Sequence, residues 1–240
     1  MERLLIPEKA NLAVAVLAKN LQEIYQENLV SIIAYGSAVS GGFIPKRSHV
    51  DLLLILKDAS LESLKKAHEL AKKNAFCHML FFDEEFIARS LDTFPIEFLD
   101  IKERYLVLSG KDILQDKVIE TANLRFQCEA ELKEKLIALK QQYIKICRDH
   151  KAMRQLLLVS FQSILHILKS ALRLTGETIP RAKEEIIKVC GLRFGLDTGL
   201  WERLLLLKNG QARITKGLIE ALFAAFVKDL EKISHKIDAL

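Results

Sequence analysis

The sequence predicts an α/β (α+β) N-terminal half followed by an all-α helical bundle. Apolar, β-rich runs alternate with loop and helix patterns up to about residue 82, and helical periodicity continues almost without interruption after residue 118. The charge balance changes at the same place: residues 1–118 carry 15 Lys or Arg against 17 Asp or Glu, whereas residues 119–240 carry 21 against 14. Such an asymmetry favours two units with different surfaces. We therefore expect domains at 1–118 and 119–240.

The elements of the first domain follow from periodicity and from its glycines and prolines. The second apolar run, VDLLLIL, is nearly continuous, as in a strand buried on both faces of a sheet, and Asp58 and Ser60 offer N-caps to the helix after it. The predicted elements are a helix over 8–28, a strand over 29–35, a loop over 36–49, a strand over 50–56, a helix over 61–74 and a strand over 75–82. A short helix and a strand ending at Gly110 are expected within 94–110.

The second domain consists of amphipathic and strongly apolar helical patterns. Helices are predicted over 121–150, 154–176, 180–190, 199–208 and 215–236. The high apolar content of 156–174 and 218–227 is expected either in the core of the bundle or in a homodimer face.

Composition excludes several classes of protein. With 50% hydrophobic and 28% charged residues, the chain has enough apolar surface for a packed core, and a net charge of +5 does not by itself indicate a nucleic-acid binder. The cysteines have no CxxC pair, which indicates reduced thiols and a cytoplasmic location; they are Cys77, Cys128, Cys147 and Cys190. No run of about 18 uninterrupted apolar residues occurs, so we expect no membrane partner.

One group of residues between the first two predicted strands has the residue types of a ligand-binding or catalytic site. Gly36-Ser37 closes the first strand, eleven residues follow, and His49-Val50-Asp51 opens the second. A Gly-Ser turn lets the backbone approach a ligand and offers amide and hydroxyl donors, which suit a phosphate. Positions i and i+2 of a strand project from one face, so acidic residues there would hold divalent cations beside that phosphate.

These residues resemble the DNA polymerase beta-like nucleotidyltransferase superfamily, especially its kanamycin nucleotidyltransferase and minimal nucleotidyltransferase types. The family signature is an apolar residue, Gly, Gly or Ser, 9–13 residues, and then Asp, an apolar residue and Asp or Glu. Here Tyr35-Gly36-Ser37 precedes SHVDL, where the family has SDIDL. The motif covers 34–52, and the order of elements matches over about 1–118. The resemblance implies a small mixed sheet, a nucleoside triphosphate ligand and a divalent metal, Mg²⁺ or Mn²⁺.

His49 stands where the family has the first metal carboxylate, so Asp51 is the single carboxylate of the pair. Mg²⁺ prefers carboxylate oxygen to imidazole. Three interpretations stay open. The chain is a non-catalytic nucleotide-binding or protein-interaction (antitoxin-like) module; or it is active, with His49 as a metal ligand or a base; or Gly36-Ser37 is only a turn.

If the protein is active, the resemblance implies attack of an acceptor hydroxyl on the α-phosphate of a nucleoside triphosphate. Asp51 and His49 would form the catalytic and metal site, and Gly36 and Ser37 would hold the phosphates. Two cations of the same loop, Lys46 and Arg47, are further candidates for nucleotide binding. The acceptor would be a small molecule, RNA or a protein. A third family carboxylate would fall near His78, while Asp83-Glu84-Glu85 is more typical of a helix start.

Overall fold

The computed structural model of the protein describes residues 3–180, 182–213 and 215–240. The chain divides into two compact units, Met1–Ile119 and Glu120–Leu240. The first unit contains a mixed sheet with helices, and the regular structure described in the second unit is helical. The predicted fold class is confirmed.

The described part of the first unit alternates helices and strands. Its elements are α1 (Glu8–Tyr25), β1 (Leu29–Tyr35), α2 (Ser37–Ser40), β2 (Val50–Leu56), α3 (Leu61–Lys65), α4 (His68–Lys73), β3 (Cys77–Asp83), α5 (Glu84–Ser90), α6 (Pro95–Glu103) and β4 (Tyr105–Gly110). A 3₁₀ turn, Gln26–Asn28, joins α1 to β1.

The four strands described in this unit form one sheet in the order β3-β2-β1-β4. β1 is antiparallel to both β2 and β4, whereas β2 and β3 are parallel. Their register aligns the C-terminal end of β1 with the N-terminal ends of the other three strands. Residues from all four strands therefore meet at one end of the sheet.

Apolar residues cover both faces of the sheet, which explains the continuous hydrophobic run of β2. Leu52 and Leu54 pack in one cluster with Leu17 and Leu21 of α1. The alternate residues face the other way: Leu53 and Ile55 pack with residues of α5 and α6, namely Ile87, Phe98 and Ile101. Because successive side chains of a strand point to opposite faces, this packing determines on which face of the sheet each polar residue at the strand ends lies.

Two of the predicted elements of the first unit differ in kind from the structure, and several helix ends lie a few residues from their predicted positions. The segment 36–49, predicted as loop, contains the helical turn α2, in which the carbonyl of Gly36 accepts hydrogen bonds from the N–H groups of Val39 and Ser40 at 3.2 and 3.0 Å. The single helix predicted over 61–74 is two short helices, α3 and α4. The acidic run after β3 is a helix start as predicted, because the Asp83 side chain accepts from the N–H of Phe86 at 2.6 Å.

The second unit packs its helices around a core of leucine, isoleucine and aromatic side chains. Its elements are α7 (Ala122–Ile146), α8 (His150–Leu172), α9 (Lys183–Phe194), α10 (Thr198–Lys208) and α11 (Lys216–Asp238). Trp201 lies fully buried between Phe161 and Phe226, with ring centroids 5.6 and 5.2 Å away. Its indole N–H donates to the Asp229 carboxylate at 2.8 Å, which also accepts from the N–H of Asp197 at 3.0 Å.

Among the described residues, one helical segment, His150–Thr175, is long and apolar enough to cross a bilayer by length and composition. However, 56% of its 18-residue apolar stretch is buried inside the structure. Burial to this extent is typical of the central helix of a bundle, so packing accounts for its apolar composition.

Candidate functional site

The candidate site lies at the end of the sheet where all four strands meet. Cross-strand pairing sets Tyr35 of β1 opposite Asp51 of β2, and Asp51 opposite His78 of β3. Tyr105 of β4 pairs with Tyr35 on the far side. Directly opposed residues share a face, so these four side chains form a row on the face that packs against α5 and α6.

Gly36 and Asp51 are in close contact at this row. Gly36 has φ of +70° and ψ of −143°, a backbone conformation that is essentially restricted to glycine. A Cβ atom at this position would lie 2.9 Å from Oδ2 of Asp51. The carboxylate therefore occupies the space that a side chain at position 36 would need, and the turn into α2 begins directly beside it.

Ser37 is the first residue of α2. The first N–H groups of a helix have no partner within the helix, so those of Ser37 and Ala38 are donors at the start of this turn. The structure thus places Gly36, Ser37 and Asp51 together, as their spacing in the sequence predicts.

His49 and His78 stack on each other beside Asp51. Their ring centroids are 3.9 Å apart, with 17° between the planes. Nδ1 of His78 lies 3.5 Å from Oδ1 of Asp51, and the side chain of His78 is 61% exposed while that of Asp51 is 29% exposed. The contact of His78 with Asp51 could not be predicted from the sequence, because it depends on the parallel pairing of β2 and β3.

Burial dominates the electrostatics of the site. Burial raises the pKa of the Asp51 carboxyl, and the neighbouring His78 and His49 oppose that shift. Burial and then the charge of Asp51 raise the pKa of Tyr35 to about 12, and the same two causes raise that of the Cys77 thiol to about 12. Tyr35 and Cys77 are therefore neutral near pH 7.

The donor set does not fit a divalent metal of the Mg²⁺ type. Mg²⁺ needs several oxygen ligands, and this cluster offers one carboxylate. An ion bound to an imidazole lies in the plane of that ring about 2 Å from its nitrogen, so stacked, nearly parallel rings cannot direct two nitrogens at one ion. Among the described residues, no three His, Cys, Asp or Glu side chains form a group that could hold a metal.

Lys46 and Arg47 lie in a turn before β2 and line a cavity of about 490 Å³ together with His49. The cavity is also lined by residues that the sequence did not indicate, among them Lys9 at the start of α1 and Phe76 before β3. No distinctive local pattern marks these two residues, because they come together only through the packing of α1 beside the sheet.

Comparison with known proteins shows that this chain has a fold similar to that of a solved structure. No protein-family model matches the chain, and no curated protein matches its sequence. Among solved structures, the chain is similar to spectinomycin adenyltransferase AAD(9) from Enterococcus faecialis, determined with ATP and spectinomycin. The TM-score is 0.59 at 14% identity, and the match covers 92% of this chain and 98% of that chain. The two proteins therefore share a fold over most of their length.

Proposed function

We propose that this protein is nucleotidyltransferase-like and binds a nucleoside triphosphate, with the phosphates at the Gly36–Ser37 turn. The observation that carries the proposal is the turn at Gly36, whose backbone conformation is restricted to glycine and which leads directly into α2. A turn without a side chain, followed by helical N–H donors, allows a phosphate to contact the backbone. The similar fold of an adenyltransferase determined with ATP supports the same ligand class.

We further propose that the nucleotide binds without Mg²⁺. A single carboxylate beside two stacked imidazoles does not supply the oxygen ligands that Mg²⁺ needs. This is the first of the interpretations that the sequence left open, a nucleotide-binding module on a nucleotidyltransferase fold.

Transfer of a nucleoside monophosphate to an acceptor hydroxyl is the second candidate, and the contact between His78 and Asp51 favours it. An imidazole beside a carboxylate can accept the proton of an acceptor hydroxyl. The acceptor oxygen would form a bond to the α-phosphorus, the bond from that phosphorus to the pyrophosphate oxygen would break, and the proton would move to His78. Release of pyrophosphate on mixing ATP with candidate acceptors, and its loss in His78→Ala, tests this reaction.

Calorimetric titration with ATP of Ser37→Asp and of a matched control tests the nucleotide site. An aspartate in the first turn of a helix is favourable for folding, but its charge would repel a phosphate bound there. Thr121→Asp adds the same charge at the exposed N-cap of α7, where the native side chain makes no capping hydrogen bond. We expect ATP binding to weaken at least about tenfold in Ser37→Asp and to be unchanged in Thr121→Asp. Failure of the wild type to bind ATP at millimolar concentration, or equal affinities for both variants, would overturn the proposal.

A further inference from the structure

A cationic cavity lies beside the nucleotide site but is lined by different elements. It has a volume of about 490 Å³ and is formed by the start of α1, the turn before β2 and the residue before β3. A volume of this size is within the range of small-molecule sites. Its charged and aromatic lining comprises Lys9, Lys46, Arg47, His49, Phe43 and Phe76.

The positive charge of this cavity is not compensated within the described part of the chain. Lys9, Lys46 and Arg47 carry permanent charge near pH 7, and no Asp or Glu lines the cavity. None of the three side chains forms an ion pair or a hydrogen bond with a described residue. The nearest acid in sequence, Glu8, contacts Arg3 at 3.8 Å instead. Three adjacent cations without a carboxylate create a local positive potential that favours an anion.

The turn that carries two of these cations is held in place by hydrogen bonds. The carbonyl of Ile44 accepts from the N–H groups of Arg47 and Ser48 at 3.1 and 2.8 Å. The hydroxyl of Ser48 in turn accepts from the N–H of Ile44 at 3.0 Å. Lys46 has a left-handed backbone with φ of +66°. The cations are thus presented by a closed turn, which lowers the entropy lost when they bind a ligand.

The remaining lining is apolar and aromatic. Phe43 and Phe76 are partly buried against the core of the unit, and Ala10 and Ala13 add apolar surface from α1. A ligand that fills the cavity would therefore contact cations with one part and carbon atoms with another. This combination suits a phosphate ester with an aromatic or apolar group more than it suits a free inorganic anion.

We propose that this cavity is a second binding site, for an organic phosphate monoester with an aromatic or apolar group. The inference does not depend on the nucleotide proposed at Gly36–Ser37. His49 lies between the two sites, since it lines the cavity and also stacks on His78.

The test uses AMP as the probe, adenosine as the same molecule without its phosphate, and calorimetry as the readout. Lys46→Gln/Arg47→Gln removes two cations of the cavity, and Lys72→Gln/Lys73→Gln removes two exposed cations of α4 as a matched control. We expect AMP to bind the wild type and the control equally. We expect adenosine to bind the wild type at least about tenfold more weakly than AMP does, because it lacks the phosphate that accepts charge-assisted hydrogen bonds. We expect AMP to bind Lys46→Gln/Arg47→Gln at least about tenfold more weakly than it binds the wild type, because the donors of those hydrogen bonds are lost.

The Ser37→Asp variant distinguishes AMP binding in this cavity from AMP binding at the Gly36–Ser37 turn. If the cavity is a separate site, AMP binds Ser37→Asp as it binds the wild type, whether or not ATP binding is lost in that variant. Loss of AMP binding in Ser37→Asp would overturn the proposal, because it would assign the phosphate to the Gly36–Ser37 turn. Retention of full affinity in Lys46→Gln/Arg47→Gln, or no AMP binding by the wild type at millimolar concentration, would also overturn it.

Discussion

Replacement of Gly36 by alanine tests whether the turn into α2 has the geometry that the candidate site needs. At φ of +70° and ψ of −143° the residue lies in a region that is unfavourable for any side chain. Residues in such regions are strained by about 1–3 kcal/mol. The new Cβ would also lie 2.9 Å from Oδ2 of Asp51, so the carboxylate must rotate away. We expect Gly36→Ala to lower the free energy of unfolding of the first unit by about 2–3 kcal/mol.

Gly176→Ala is the matched control for this prediction. Gly176 also has a positive φ, +72° with ψ of 11°, but nothing lies within 4 Å of the position of its Cβ. Alanine there meets only the left-handed penalty of about 1–2 kcal/mol. Denaturant unfolding followed by far-UV circular dichroism measures both variants, and hydrogen exchange of β1 and β2 peptides localises the loss to the first unit. A Gly36→Ala variant that is no less stable than Gly176→Ala would refute the reasoning.

Rotation of the carboxylate gives a second readout of the same substitution. When Asp51 moves, the 3.5 Å contact between its Oδ1 and Nδ1 of His78 is lost. The imidazole NMR signals of His78, recorded at one fixed pH, should therefore shift in Gly36→Ala and in Asp51→Asn alike. Unchanged imidazole signals of His78 in Gly36→Ala would show that the carboxylate does not occupy the space at position 36.

Substitutions of three aspartates have expected outcomes. Burial raises the pKa of Asp51 above its ordinary value of 3.8, so the folded state binds the carboxyl proton more tightly than the unfolded state does. The contribution of this proton to the free energy of unfolding is present below pH 3.8 and is lost as pH rises through the raised pKa. Asp51→Asn should therefore be more stable than the wild type at pH 7 but not at pH 3, as measured by urea unfolding, and the reverse order would contradict the assignment. Asp229→Ala leaves the buried indole N–H of Trp201 without its acceptor and should lower the free energy of unfolding by about 1–3 kcal/mol. The fluorescence emission of this single tryptophan should shift as well. An unchanged emission spectrum and an unchanged unfolding midpoint would contradict this prediction. Asp83→Ala removes the N-cap of α5 and should cost about 1 kcal/mol in thermal unfolding, whereas Asp83→Asn, which can still cap, should cost less; equal losses would argue against the cap.

The sequence predicted the elements whose signal is local. β1 and β2 have the predicted bounds, because each is an apolar run ended by glycine or polar residues. The break between α3 and α4 has no glycine or proline to mark it, so periodicity alone predicted one helix. The turn α2 was predicted as loop, because four residues among glycines are too short for a helical pattern.

Only part of the candidate site could be predicted in the same way. Gly36, Ser37 and Asp51 were identified from their spacing along the sequence, since the chain brings them together through one antiparallel pair. The contact of His78 with Asp51 depends on a parallel pair separated by two helices, and neither residue type nor spacing fixes that register. Likewise, Lys9 and Phe76 join Lys46 and Arg47 only through tertiary packing.

The central claim is that the Gly36–Ser37 turn binds a nucleoside triphosphate without Mg²⁺, and calorimetric titration of ATP into the wild type and Asp51→Asn tests it most directly. Each protein is measured in EDTA and in Mg²⁺. Without a bridging metal, the Asp51 carboxylate repels the phosphates. A unit charge about 6 Å away contributes about 0.7 kcal/mol in bulk water and about 3 kcal/mol at the effective dielectric constant of about 20 that is typical near a protein surface. We predict that in EDTA ATP binds the wild type and binds Asp51→Asn at least about threefold more tightly. Wild-type binding that requires Mg²⁺ and that Asp51→Asn abolishes would contradict the account.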